Sequence, residues 1–149
     1  MKLTEHFTTE EMERSSTGIR LGIDNTCPAE LMNNMTDVAE QLEIIRAHYN
    51  APVHVTSCYR SPALNKAVGG SKTSAHSSAH AADCTVEGVE VLDLCVWCSE
   101  NIPDFDQIIY EFGPTGWMHI GFTSGTPRRQ LLTATKEGKK TIYKPGLIA

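Results

Sequence analysis

The chain has 149 residues, with 13 Lys and Arg against 18 Asp and Glu, a formal net charge of -5. Hydrophobic residues at 40% and charged residues at 21% describe a globule with a real core and exclude disordered or fibrous architectures. The acidic balance argues against a nucleic-acid platform, and no apolar run approaches the roughly 18 residues that a bilayer span needs. One domain over residues 1–149 is expected from this length. Met1-Lys2-Leu3-Thr4-Glu5-His6 has neither an apolar stretch nor a small-residue cleavage site, so no secretory leader is expected. Thr8-Thr9-Glu10-Glu11 is a capping-box pattern that opens a short helix. A polar loop runs through Asp24-Asn25-Thr26-Cys27, and Pro28 stands where a helix begins. Leu31, Met35, Val38, Leu42 and Ile45 then recur at helical spacing, the clearest helix in the chain.

Val53-His54-Val55-Thr56-Ser57 is β-branched and alternating, which predicts a strand. Ser61-Pro62 caps a short helix that runs to Val68 and stops at Gly69-Gly70. A second strand is predicted over 81–86 and a second long helix over 89–100. Residues 105–112 and 117–122 read as strands around Gly113-Pro114-Thr115-Gly116. Residues 129–135 and 140–144 read as a hairpin about Lys136-Glu137-Gly138-Lys139. Helices lead and strands cluster late, which predicts an α+β fold with a mostly antiparallel sheet backed by helices.

Five cysteines, at 27, 58, 84, 95 and 98, form an odd set that reads as reduced thiols rather than a disulfide framework. Cys95-Val96-Trp97-Cys98 is the one pair with redox or metal spacing. It lies inside an apolar helix rather than at a helix start, so both cysteines are expected to be small buried residues.

Metal-binding groups concentrate in the middle of the chain. Ser74-Ala75-His76-Ser77-Ser78-Ala79-His80-Ala81-Ala82-Asp83 sets a His and an Asp seven positions apart, and His119 follows in Trp117-Met118-His119-Ile120. Two imidazoles and a carboxylate suit Zn²⁺, and three protein ligands leave a fourth position for water, whose pKa falls to about 7 on zinc. Alternation puts Asp83 with Ala81 and Thr85, and Cys84 on the opposite face, so Cys84 stays out of the metal shell. His80 would need a helical turn to ligate and is read as a rim residue.

A three-residue loop, Pro114-Thr115-Gly116, would pair Gly113 with Trp117 and Phe112 with Met118, and set Glu111 across from His119. A two-residue loop would set Glu111 against Met118 instead. With the first register Glu111, His119 and Ile109 share a face, and a carboxylate beside a zinc ligand is placed to take the proton of a bound water.

Taken together, Ser57-Cys58-Tyr59-Arg60-Ser61-Pro62, Val68-Gly69-Gly70, Ser74-Ala75-His76 with Asp83, and Trp117-Met118-His119-Ile120 resemble the peptidase M15 family. The opening Leu3-Thr4-Glu5-His6-Phe7 and the closing segment 128–135 are also similar to its short phage-type branch. That family contains zinc D-alanyl-D-alanine carboxypeptidases and phage endolysins that cut peptidoglycan stem peptides, on a fold shared with hedgehog signalling domains. The resemblance implies one zinc ion per chain, held by His76, Asp83 and His119. It places Arg60 in the cleft, where a guanidinium grips a substrate carboxylate or steadies an oxyanion, with Tyr59, Ser74 and Trp117 lining the walls.

The pattern departs from the family at two places. Members carry the proton-transfer group three or two residues before the last ligand, and here those positions are Gly116 and Trp117. Glu111 is therefore expected to be the catalytic base. At Ser78-Ala79-His80 the branch commonly has a Gly and a charged residue, which alters the cleft rim. The implied protein is a monomeric zinc peptidase of the stem peptide, with no nucleic-acid or membrane partner, made in a host cytoplasm and acting at the wall after release. A second reading stays open: a metal-containing peptidoglycan-binding or virion module of the same fold, without turnover.

Overall fold

Capping residues and alternation decide most of the architecture. The computed structural model describes all of Met1–Ala149, with five α-helices and one six-stranded sheet. The helices are α1 (Thr9–Glu13), α2 (Ser16–Leu21), α3 (Met32–Tyr49), α4 (Pro62–Ala67) and α5 (Val91–Asn101). The strands are β1 (Val53–Ser57), β2 (Ala81–Val86), β3 (Gln107–Glu111), β4 (Trp117–Gly121), β5 (Gln130–Glu137) and β6 (Lys140–Pro145). They lie in the order β1-β2-β4-β3-β5-β6, antiparallel throughout except for the β3–β5 pair. This is the α+β class that the sequence predicts.

Helices α3 and α5 cover one face of the sheet. The α3 stripe of Met35, Val38, Ala39, Leu42 and Ile45 is fully buried, as its spacing predicts. It meets Cys84, Met118, Ile108 and Ile120, which alternation turns toward the helices, in one core of 25 buried residues. The other face carries Asp83, His119 and Glu111 and is left open to form a cleft. No helix is long and apolar enough to cross a membrane.

Several local expectations are corrected. Residues 16–21, to which the sequence reading gives no element, form α2, capped by the Ser15 hydroxyl on the Gly18 N–H and ended by Gly22 in left-handed backbone. Pro28 precedes a 3₁₀ turn, Ala29–Leu31, so α3 starts at Met32. The late hairpin turns on Gly138 and Lys139 alone, with Glu137 paired to Lys140.

The β3–β4 register also differs from both expected pairings. Ile109 pairs with His119, and Glu111 pairs with Trp117. Phe112 and Gly113 take left-handed backbone, φ 63° and 71°, which ends β3 early. The Phe112 N–H donates to the Ala134 carbonyl at 2.9 Å, and the Gly116 N–H closes a turn onto Gly113 at 3.1 Å. Because side chains alternate with a period of two, the two-residue slip from the Glu111–His119 pairing leaves both residues on one face.

All five cysteines are free and buried. Burial pushes the Cys27 thiol up to about 11 and the Cys98 thiol up to about 12, and raises Cys58, Cys84 and Cys95 as well. The Cys95–Cys98 pair is thus apolar filling in the core. The native protein is expected to leave a thiol reagent unconsumed at neutral pH while the unfolded chain consumes five equivalents. A rapid native reaction would contradict the burial described.

Candidate metal centre

Two strands and one turn bring the predicted ligands together. Asp83 on β2 pairs directly with His119 on β4, so their side chains stand side by side on the open face. The His119 Nδ1 lies 3.0 Å from Asp83 Oδ1. His76 comes from a 3₁₀ turn, Ala75–Ser78, which the sequence reading did not anticipate. Ser74 caps that turn, its hydroxyl accepting the His76 N–H at 3.2 Å, and Ala79 ends it in left-handed backbone. The His76 Nε2 arrives 3.2 Å from the same Asp83 oxygen.

His76 is held from behind. Its Nδ1 lies 2.7 Å from the Cys58 carbonyl, which fixes the ring and the tautomer and leaves Nε2 facing Asp83. The Arg60 N–H in turn donates to the His76 carbonyl at 3.0 Å, tying the turn to the end of β1. Both imidazoles are buried, His76 to 1% exposure and His119 to 8%. Burial alone would push the Asp83 carboxyl up. The charge and hydrogen bonds of His76 and His119 outweigh it and hold the group well below the usual carboxylate range.

The three candidate ligand atoms lie within 4.8 Å of one another. In a tetrahedral zinc shell with bonds of about 2.0–2.1 Å, ligand atoms sit about 3.3 Å apart. The 3.0 and 3.2 Å separations match that spacing, and the donor set of two imidazoles and one carboxylate suits zinc. Cys84 is buried on the far face, and His80 lines the cleft beside Ser78 without joining the group.

Above the ligands runs a cleft of about 780 Å³, walled by Arg60, Ser74, Glu111 and Trp117 among others. Burial, and next the negative charge of Asp83, push the Glu111 carboxyl up to about 7, against the pull of His119 and Arg60. Burial lowers the Arg60 guanidinium while Asp83 and Glu111 raise it, and its Nε is buried with no hydrogen-bond partner. Gly70 makes room for that side chain: a Cβ there would strike Asn65 and stand 3.1 Å from Arg60 Nη1. The Trp117 indole N–H sits close enough to Glu111 to lower its pKa slightly, yet falls outside hydrogen-bond geometry and is left buried without a partner.

Gly116 is dictated by sterics. A Cβ at that position would overlap the Glu111 carbonyl, so the loop has no room for any side chain there.

Tyr59 is not brought to the cleft. It is 4% exposed and packs in the core, with its N–H on the Met12 carbonyl and its carbonyl taken by Asn25. Ile109 lines the cleft on the face shared with Glu111 and His119, and the sequence reading missed Gln107, Leu132 and Tyr143 as cleft residues. Alternation along 130–145 was the signal available for the last two.

Comparison with curated proteins finds no match. A family profile described as Peptidase M15 matches residues 5–121, a span that contains all three candidate ligands together with Arg60, Glu111 and Trp117. The chain therefore belongs to the peptidase M15 family.

Proposed function

We propose that the protein is a zinc-dependent peptidase that hydrolyses an amide bond of the peptidoglycan stem peptide. The observation that carries this reading is the convergence of His76 Nε2 and His119 Nδ1 on one Asp83 oxygen at the cleft floor, in a chain of a peptidase family. The stem-peptide substrate comes from the resemblance of the motifs around Arg60, His76 and His119. His76, Asp83 and His119 would hold the zinc ion, which when bound would supply Lewis-acid chemistry for the scissile carbonyl and the attacking water.

The remaining steps belong to side chains of this chain. The Glu111 carboxylate accepts the proton of the attacking water and returns it to the leaving nitrogen. A carboxyl near 7 in the metal-free site is suited to both halves of that transfer. Arg60, a half-buried cation with a buried, unused Nε–H, donates to a substrate carboxylate or to the developing oxyanion. The unpaired Trp117 indole N–H is a second donor for the bound peptide. Ser74 acts one step removed, by capping the turn that carries His76. A metal-holding module without turnover has less support, because Glu111 provides a proton-transfer group on the ligand face.

The test is mass spectrometry of purified muropeptides after incubation with the zinc-loaded protein. Loss of one terminal D-Ala identifies a carboxypeptidase, and a divided stem or cross-link identifies an endopeptidase. A chelator is expected to abolish either product and added zinc to restore it. Muropeptides that remain intact with zinc present would overturn the reading.

A further inference from the structure

The matched family segment ends at Gly121, yet the β5–β6 hairpin beyond it forms part of the cleft wall. Tyr143 pairs with Ala134, Ala134 with Glu111, and Glu111 with Trp117, so these four side chains stand in one row on the open face. Ala134 is small and fully buried, so no long side chain of β5 stands between Tyr143 and Glu111 in that row. Tyr143 itself is 54% exposed and lines the cleft. Partial burial raises its phenol, and the negative charges of Glu111 and Asp83 add to that.

Charge is divided unevenly along the chain. Residues 122–149 hold six of the 13 basic residues and one acidic residue, Glu137, whereas residues 1–121 hold seven basic and 17 acidic ones. Two of the six fix the hairpin to the body. Arg128 grips Asp106 through both carboxylate oxygens, and Arg129 lies over the Phe105 ring and bonds the Ser99 carbonyl. The other four, Lys136, Lys139, Lys140 and Lys144, are exposed and enter no ion pair. Alternation puts Lys136 on the open face with Ala134 and Tyr143 and turns Lys140 and Lys144 to the other face. An acidic body repels an acidic ligand, and a positive side chain on the cleft face offsets that over about one Debye length.

We propose that the β5–β6 hairpin is the docking wall for the substrate: the Tyr143 hydroxyl hydrogen-bonds the peptide on the Glu111 side of the metal site, and Lys136, on the same face of the hairpin, draws in a carboxylate-bearing peptide. This rests on the reading of the cleft as a stem-peptide site. It divides substrate recognition between two ends, with Arg60 at the β1 end and Tyr143 at the β6 edge.

The test is calorimetric titration of a synthetic stem pentapeptide into zinc-loaded Glu111→Gln protein, alone and combined with Tyr143→Phe or with Lys136→Gln. Losing one neutral hydrogen bond weakens binding about three- to tenfold, so Tyr143→Phe is expected to do so with zinc content and melting temperature unchanged. The lysine variant is expected to bind less tightly at about 0.05 M salt and to match its parent at about 0.5 M, where surface charges are screened. Equal affinity of the Tyr143→Phe protein and its parent overturns the proposal, as does failure of the parent to bind the peptide. If wild-type protein leaves muropeptides intact but binding still depends on Tyr143, the docking wall stands and the peptidase reading falls.

Discussion

Asp83→Asn protein, exposed to excess zinc and then desalted, is expected to carry no metal and to leave muropeptides intact. Asn keeps the shape that sits 3.0 and 3.2 Å from the two imidazoles but removes the anionic oxygen on which both converge. Wild type in zinc at about 1,000 times its dissociation constant gains about 4 kcal/mol by mass action. In a chain of this length that raises the melting midpoint by about 10 °C, and the variant is expected to show almost none of it. The metal-free proteins differ in acid. The folded-state pKa of Asp83 lies below its ordinary value of 3.8, so its stabilising contribution is present above that value and is lost as the pH falls through the lower one. Wild type therefore loses stability in strong acid that the Asn variant never had. One equivalent of zinc retained by the variant, measured by atomic absorption, would remove Asp83 from the ligand set.

Glu111→Gln should lower kcat by about 10²–10⁴-fold while leaving the zinc content at its wild-type level. The amide keeps the volume but neither takes nor returns a proton. Its effect on stability has the opposite sign to that of Asp83→Asn. The folded-state pKa of Glu111, about 7, lies above the ordinary 4.5. The stability conferred by the protonated carboxyl is thus present below 4.5 and is lost as the pH rises through about 7. Metal-free Glu111→Gln protein is expected to melt above metal-free wild type at pH 8 and with it at pH 4 (both near the ends of that window). A divalent cation at the ligand set favours the ionised carboxylate, so the acid limb of the pH–rate profile belongs between 4.5 and 7 and should vanish with the substitution. Full activity in the Gln variant would show that the proton goes elsewhere.

Most of the ligand set was legible because its chemistry is rare: two imidazoles and a carboxylate stand out in a chain with six His. The face of Glu111 was legible for a weaker reason. Parity survives a two-residue slip, so an incorrect register still put Glu111 and His119 on one side of the sheet. What set the true register was left-handed backbone at Phe112, a conformation that a bulky residue does not announce. The Asp83–His119 pairing joins strands 30 and more positions apart and has no local signature. Tyr59 was drawn toward the cleft by its place beside Arg60, but its ring packs in the core while Arg60 lines the cleft. Helix α2 was hidden by Ser-Ser-Thr-Gly, a composition typical of loops, until Ser15 proved to be its cap.

Gly116 has a consequence for how this cleft can vary. Because the Glu111 carbonyl fills the space that a side chain at 116 would need, no single substitution can install an acidic residue there, three positions ahead of His119. The loop that carries Glu111 into reach is the same loop that closes the alternative. An engineer wishing to relocate the proton shuttle would have to rebuild the backbone from Phe112 to Gly116 as one unit, since exchanging side chains on the present path meets the main chain first.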